Sequence, residues 1–209
     1  MSKDFVKWTG LALCVAAVIT FAVNAVLTPM LPQGSFSALA ASQVFLVRQS
    51  FAAAAALLLI FGIVGLHVSR LSLVGGFGTA AFVVALCGGA GLFSVEWNQL
   101  FTIRDFALHA PDALGRIEDA KGLTPFDLGS LIAASTFFLG WLLLAVSLLL
   151  SNQYSKLSAG LILAGFIVAP ALSALGVSGA WPAAGASAII GAGWFLLGVQ
   201  MMKLRRQQV

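Results

Sequence analysis

Long uncharged and mainly apolar stretches alternate with short polar segments along this chain. Five stretches contain no Asp, Glu, Lys or Arg, and they cover residues 8–47, 49–69, 71–95, 128–155 and 157–202. About 20 apolar residues allow a helix to cross the hydrocarbon core of a bilayer, so the first and last stretches exceed what one helix needs. The pattern predicts an all-α, polytopic integral membrane bundle.

Helix-breaking and helix-capping residues inside these stretches divide the chain into six predicted transmembrane helices. Prolines and glycines end the first span, and a turn rich in Gly separates the last two. Thr124, Pro125 and Asp127 predict an N-cap, a first helical position and an acidic capping box for the fourth span. The predicted spans are residues 8–28, 42–67, 71–93, 125–150, 157–175 and 182–202, with an extracytoplasmic loop over residues 96–123.

The composition limits the kinds of molecule that the chain is expected to bind. The chain is 60% apolar and only 9% charged, whereas a soluble domain carries roughly a quarter charged residues. Its formal net charge is +4, but the basic residues are scattered and form no continuous basic face. We therefore expect the lipid bilayer to be the main partner and expect no nucleic-acid binding.

The distribution of basic residues predicts the orientation. Six spans place both termini on one side of the membrane. Seven basic residues fall on that side (Lys3, Lys7, Arg70, Lys156, Lys203, Arg205, Arg206), against four on the other (Arg48, Arg104, Arg116, Lys121). Because cytoplasmic segments collect Lys and Arg, both termini are predicted to be cytoplasmic.

Charged residues are absent from the middle of every predicted span. Arg48 and Glu96 come closest, at the outer ends of the second and third spans, where long side chains reach water. We interpret them as a pair of opposite charges that could meet across these two helices at the membrane interface.

The chain shows no pattern typical of an enzyme or a metal site. Cys14 and Cys87 lie in apolar segments without a metal-binding spacing, and His67 and His109 fall on opposite sides of the predicted membrane. No Gly-x-Ser-x-Gly motif occurs, and no glycine-rich loop ends in the Lys-Ser or Lys-Thr of a phosphate-binding loop. No catalytic residue, no metal site and no enzymatic activity are predicted.

Two tryptophans lie deep in predicted spans, Trp141 in the fourth and Trp194 in the sixth. A buried indole N–H needs a hydrogen-bond acceptor. Either side chain could fill a gap between helices or contact a lipid, a quinone or a pigment. No cofactor is predicted from the sequence, and this contact stays open as an alternative.

Small residues recur at helical spacing. Ala183, Ser187 and Gly191 form such a stripe in the sixth span, and Gly88 and Gly91 lie in the third. Stripes of this kind allow helix backbones to approach closely. They predict close packing, either inside the bundle or at an interface with another membrane protein subunit.

The order of features resembles a known family. Residues 45–51 enter the second span, a long segment joins the third and fourth spans, and residues 151–165 join the fourth and fifth. In these respects the chain is similar to a family of bacterial six-helix membrane proteins classed as a domain of unknown function (number four-three-eight-six). The resemblance implies a six-helix fold in a bacterial inner membrane, without an activity or site residues.

Three functional hypotheses follow. The first is a non-enzymatic integral membrane subunit or scaffold that packs against a larger membrane protein complex. The second is a small transporter or channel for an uncharged or lipophilic solute. The third is an accessory subunit that contacts a quinone or a pigment. The polar residues considered as a lining for the second are Asn24, Thr79, Ser135, Thr136 and Ser173.

Overall fold

The computed structural model describes residues 3–69, 75–119, 122–151 and 153–203, and its regular elements within these ranges are all helical. The α-helices are α1 (Lys3–Ala22), α2 (Phe36–Ala41), α3 (Gln43–Ser69), α4 (Gly76–Asn98), α5 (Arg104–His109), α6 (Pro111–Glu118), α7 (Pro125–Leu150), α8 (Lys156–Ala174) and α9 (Trp181–Lys203). Two π-helical segments, Val23–Leu27 and Gln99–Ile103, continue α1 and join α4 to α5.

Six helices are long and apolar enough to cross a membrane, as the sequence predicted. They are Asp4–Leu27, Gln43–Ser69, Gly76–His109, Pro125–Leu150, Lys156–Ala174 and Trp181–Lys203. The fold class is therefore confirmed, and the protein is a multi-pass helical membrane protein.

The six long helices form a closed ring. Each packs against the helix that precedes it and the helix that follows it, and α9 closes the ring by packing on α1. Gly10, near the start of α1, lies beside Gly198, near the end of α9. The two ends of the described chain therefore share one end of the ring, and we call the opposite end the loop end.

The interior of the ring contains both small and large apolar side chains, and further large apolar side chains cover the outside. Buried alanines come from all six long helices and include Ala16, Ala55, Ala81, Ala145, Ala159 and Ala186. Exposed side chains include Phe21, Phe61, Phe77, Leu139, Ile167 and Phe195. Since lipid tails are as apolar as these side chains, close backbone packing, rather than exclusion of large apolar groups from solvent, is what assembles such a bundle.

The predicted capping box at the start of the fourth span is confirmed. The Thr124 side chain accepts a hydrogen bond from the Asp127 backbone N–H at 3.2 Å, and the Thr124 backbone N–H donates to Asp127 Oδ2 at 3.0 Å. This reciprocal pair satisfies two backbone donors that a helix start otherwise leaves without partners. The helix runs from Pro125 to Leu150, the bounds predicted from the sequence.

The predicted bounds of the third span require a correction. The sequence prediction ended its span at residue 93 and assigned residues 96–123 to a loop, but the helix continues without a break to His109. No Gly or Pro lies between Phe93 and His109, and Pro111 follows Ala110, where the helix stops. At 34 residues the helix is about 51 Å long and extends beyond a hydrocarbon core of about 30 Å. The predicted start of this span at residue 71 lies outside the described residues.

A small second core covers part of the loop end. Helices α2, α5 and α6 form this loop-end layer and pack on the start of α3 and the end of the second π-helical segment, and the buried residues of this core are Ala40, Phe45, Ile103, Ala107 and Leu114. Arg104 joins α5 to α2 within this layer, because its Nη1 donates to the carbonyls at the end of α2, those of Ala40, Ala41 and Ser42, at 2.7–3.2 Å. A cation at a helix C-terminus is favourable, since the last carbonyls there lack helical partners.

Candidate functional site: a cavity inside the ring

A partly open cavity of about 210 Å³ lies between the helices of the ring, and five of the six long helices contribute to its wall. Its polar residues come from the loop-end half of the ring, and aromatic and aliphatic residues line the rest. The lining residues are Thr20, Val23, Asn24, Arg48, Ala52, Ala55, Ala56, Leu59, Leu92, Glu96, Phe137 and Trp194. The cavity is therefore amphipathic, with a charged end and an apolar end.

Arg48 and Glu96 meet at the charged end. The Nη1 atom of Arg48 lies 3.7 Å from Oε2 of Glu96, and the two side chains are only 20% and 15% exposed. This pairing across α3 and α4 is the one that the sequence suggested. Both residues lie toward the loop end of their helices and line the cavity, and the helix of Glu96 continues beyond it to His109.

Gln49 organises this pair into a network. Its side-chain N–H donates to Glu96 Oε2 at 2.9 Å and to Gln99 Oε1 at 2.5 Å, and its Oε1 accepts from Arg48. Gln49 is completely buried. Because every polar group in a low-dielectric interior needs a partner, this amide is what allows both charges to remain inside the ring.

The remaining contact of Arg48 reaches the first helix. Arg48 Nε donates to Thr28 Oγ1 at 3.3 Å, and the Thr28 hydroxyl donates to the Val23 carbonyl at 2.9 Å. Val23 begins one π-helical segment and Gln99 begins the other, so both segments contact the network. Single π-turns inside α-helices are frequent at functional sites, where the wider turn re-aims side chains.

The apolar end of the cavity is aromatic. Phe137 and Trp194 both line it, with ring centroids 6.3 Å apart and an edge-to-face angle of 77°. Trp141 lies behind them, 5.1 Å from Trp194, and is completely buried. Among the described residues, neither indole Nε1 has a hydrogen-bond partner. The structure thus places the two tryptophans together, with only Trp194 in the cavity wall.

The predicted small-residue stripes lie mainly within the ring. A Cβ at Gly88 would overlap the backbone of Phe137 in α7, and one at Gly91 would come within 3.1 Å of Ala133. On α9, Ser187 and Gly191 are buried, and a Cβ at Gly191 would lie 3.3 Å from the Ala17 carbonyl oxygen. Ala183 is exposed. Apart from Ala183, these residues are used for packing between helices of the same chain.

Most of the polar residues considered as a transport lining lie elsewhere. Asn24 lines the cavity, whereas Thr79, Ser135 and Ser173 are exposed on the outside of the ring. Thr136 lies in a groove between α4 and α7. The sequence could not make this distinction, because a short polar residue is tolerated on either face of a transmembrane helix once its hydroxyl bonds a backbone carbonyl.

Gln49 is the functional candidate that sequence reasoning missed. The available signal was an amide directly beside Arg48, together with a second amide, Gln99, one helical turn after Glu96. In the part of the chain that the structure describes, no group of three or more His, Cys, Asp or Glu residues could hold a metal ion.

Comparison of the chain with protein-family models, with curated proteins and with solved structures finds no match. The resemblance to the bacterial six-helix family stays a prediction.

Proposed function

We propose that this protein binds a small lipophilic molecule inside the membrane, in the cavity of the helix ring, and acts as a non-catalytic carrier for it. The observation that carries this proposal is the cavity itself. It joins a charge pair at one end to aromatic side chains at the other, with five helices contributing to its wall.

The size of the cavity supports a ligand of one ring with substituents. A cavity of about 150 Å³ lined by apolar side chains is enough to bind benzene, and this one is about 210 Å³. Ligand sites are typically mostly apolar, with a few polar groups that orient the bound molecule. Here Arg48, Glu96 and Asn24 provide those groups.

The charge balance favours a neutral ligand. Arg48 and Glu96 compensate each other, so a charged molecule at this end would leave one unpaired charge in a low-dielectric interior. A neutral ligand agrees with the sequence-based alternative of a transporter for an uncharged or lipophilic solute. Of the polar residues predicted to line its path, Asn24 lines this cavity.

Filling the cavity is expected to abolish binding. Ala56 is buried and lines the cavity, so Ala56→Phe should occupy the space of a ligand ring. We expect 1,4-dibromobenzene, which quenches indole fluorescence through its heavy atoms, to show saturable quenching of the wild-type protein in lipid nanodiscs. The affinity obtained from the saturable part should fall at least tenfold in Ala56→Phe, which corresponds to roughly 1.4 kcal/mol or more of binding free energy.

Ala54→Phe is the matched control. Ala54 lies two residues earlier on the same helix but is exposed on the outside of the ring, so the same substitution leaves the cavity open. Equal saturable quenching in wild type, Ala54→Phe and Ala56→Phe would contradict the proposal. Quenching that never saturates in the wild type would also contradict it.

The subunit hypothesis loses one of its supports, the small-residue stripes, because Gly88, Ser187 and Gly191 are buried between helices of this chain. A scaffold or accessory role stays a prediction.

We further propose a bacterial inner membrane as the location, with both termini in the cytoplasm. Support comes from the excess of Lys and Arg at the end of the ring that holds the termini. Four residues of the charge count, Arg70, Lys121, Arg205 and Arg206, lie outside the described residues.

A phosphatase fused after Val209 is expected to be inactive and a fluorescent protein at the same site active. The reverse result would invert the topology.

A further inference from the structure

Asn24 offers an unused hydrogen-bond acceptor at the charged end of the cavity. Its Nδ2 donates to the Thr20 carbonyl at 3.1 Å, and this bond orients the amide. Its Oδ1 accepts no hydrogen bond from the described residues, and it is not one of their buried polar atoms without a partner, so this oxygen keeps accessible surface. Because Asn24 lines the cavity, a bound molecule with an O–H or N–H group can donate to it.

Arg48 offers an unused donor at the same end. A guanidinium carries five N–H groups and no acceptor. The Nε of Arg48 donates to Thr28, and its Nη1 donates to Gln49 and lies beside Glu96. The two N–H groups of Nη2 have no acceptor among the described residues, and Nη2 also keeps accessible surface. An oxygen acceptor on a bound molecule can therefore be held here.

This donor and this acceptor lie close together. Thr28, which accepts from Arg48 Nε at 3.3 Å, follows Asn24 by four residues, at the end of the π-helical extension of α1. Residues about one helical turn apart lie on the same side of a helix. The guanidinium and the Asn24 amide therefore occupy neighbouring positions in the cavity wall, within reach of one small polar group.

The apolar end of the cavity offers ring surfaces without an accessible polar atom on its tryptophan. Phe137 and Trp194 line it at 77° to each other, with Leu59 and Leu92 beside them. The Nε1 atom of Trp194 is buried, so a molecule in the cavity meets the indole ring but not its N–H. This end favours an aromatic ring, since such rings gain from stacked or edge-to-face contact beyond the area that they bury.

We propose that the ligand is a neutral aromatic ring that carries one hydroxyl group, the chemistry of a phenol. Its oxygen accepts from Arg48 Nη2, its O–H donates to Asn24 Oδ1, and its ring lies against Phe137 and Trp194. A phenol keeps its proton at neutral pH and adds no charge beside Arg48. This assignment rests on the proposed function, because it uses the same cavity, and it adds the chemical class of the ligand.

Three brominated compounds of similar size test the hydroxyl group. 4-Bromophenol donates and accepts a hydrogen bond, 4-bromoanisole only accepts, and 4-bromotoluene does neither. Saturable quenching of indole fluorescence is measured in lipid nanodiscs at a pH where the phenol carries its proton. The quenching of nanodiscs without the protein is subtracted, and affinities are referred to the concentration in the lipid phase. We expect the wild type to bind 4-bromophenol about fivefold more tightly than 4-bromoanisole, the value of one hydrogen bond, and at least about tenfold more tightly than 4-bromotoluene.

Asn24→Leu removes the acceptor with little change in side-chain volume. It is expected to weaken 4-bromophenol binding about fivefold and to leave 4-bromoanisole binding unchanged. Asn98→Leu is the matched control, because Asn98 lies in the groove between α4 and α7 and not in the wall of the cavity. It should leave the ratio of the two affinities at the wild-type value.

The outcomes separate this inference from the proposed function. If the wild type binds all three compounds saturably and equally, the cavity binds a ligand but the assignment of a hydroxyl group is wrong. If none of them binds saturably, the proposed function fails and the assignment fails with it. A ratio that is unchanged in Asn24→Leu, or that falls equally in Asn98→Leu, would overturn the role given to Asn24. The comparison in the wild type needs no variant, so it does not depend on how either variant folds.

Discussion

Replacing Glu96 with Ala is expected to lower the free energy of unfolding by about 3 kcal/mol. Removal of one partner from a buried ion pair leaves the other charge without compensation, which costs roughly 3–5 kcal/mol in proteins. We expect the lower end of this energy range, because the Arg48 and Glu96 side chains remain 20% and 15% exposed. The loss would also leave the Gln49 amide with one acceptor fewer. Reversible unfolding in mixed detergent micelles measures the effect.

A double-mutant cycle makes this prediction specific to the pair. Arg48→Ala and Glu96→Ala should each destabilise the protein, and the double variant should lose less than the sum of the two, since the second substitution removes a charge that is already unpaired. Asp112→Ala is a control, because Asp112 is an exposed acid in α6. Strict additivity of the two substitutions would show that Arg48 and Glu96 do not interact.

The second large effect is expected at the contact between α4 and α7. A Cβ at Gly140 would overlap the backbone of Ala85, so Gly140→Ala must force the two helices apart. Overpacking of a core usually costs 1–3 kcal/mol, and because backbone rather than a flexible side chain is in the way, we expect about 3 kcal/mol. The same unfolding measurement tests this value.

Gly129→Ala provides the comparison within the same helix. Nothing lies within 4 Å of a Cβ at Gly129, so this substitution should be neutral or should stabilise α7 by up to about 1 kcal/mol through helix propensity. Equal stability of the two variants would mean that α4 and α7 are not in backbone contact at Gly140.

These two features act together in the proposed site. Close contacts through Gly88 and Gly140 hold α4 against α7, and Phe137 lies on the same stretch of α7 and lines the cavity. The polar network holds α3 against α4 at the charged end. The cavity is therefore bounded by rigid contacts on two sides, which favours a defined ligand orientation over a loosely filled space.

The extent of the third long helix shows where sequence reasoning stops. A charged and polar segment after residue 93 is typical of a loop outside the membrane, and Glu96, Gln99 and Arg104 gave that segment its polar character. In the structure each of these side chains has a partner on another helix, Gln49 for the first two and the end of α2 for Arg104. The segment remains helical because those partners satisfy its polar groups, and they come from distant parts of the chain.

The amino-acid sequence alone determined the fold class. A helix that crosses the hydrocarbon core needs about 20 apolar residues, and its backbone N–H and C=O groups must form their hydrogen bonds within the helix. The sequence also determined the start of α7, since a capping box is local. Only the tertiary structure decided which faces point inward. It put Gln49 between Arg48 and Glu96, set Trp194 in the cavity wall with Trp141 behind it, and used Gly88 and Gly191 for internal packing. Helices with apolar residues on all sides carry no strong signal for the inward face, so that choice depends on how the six helices fit together.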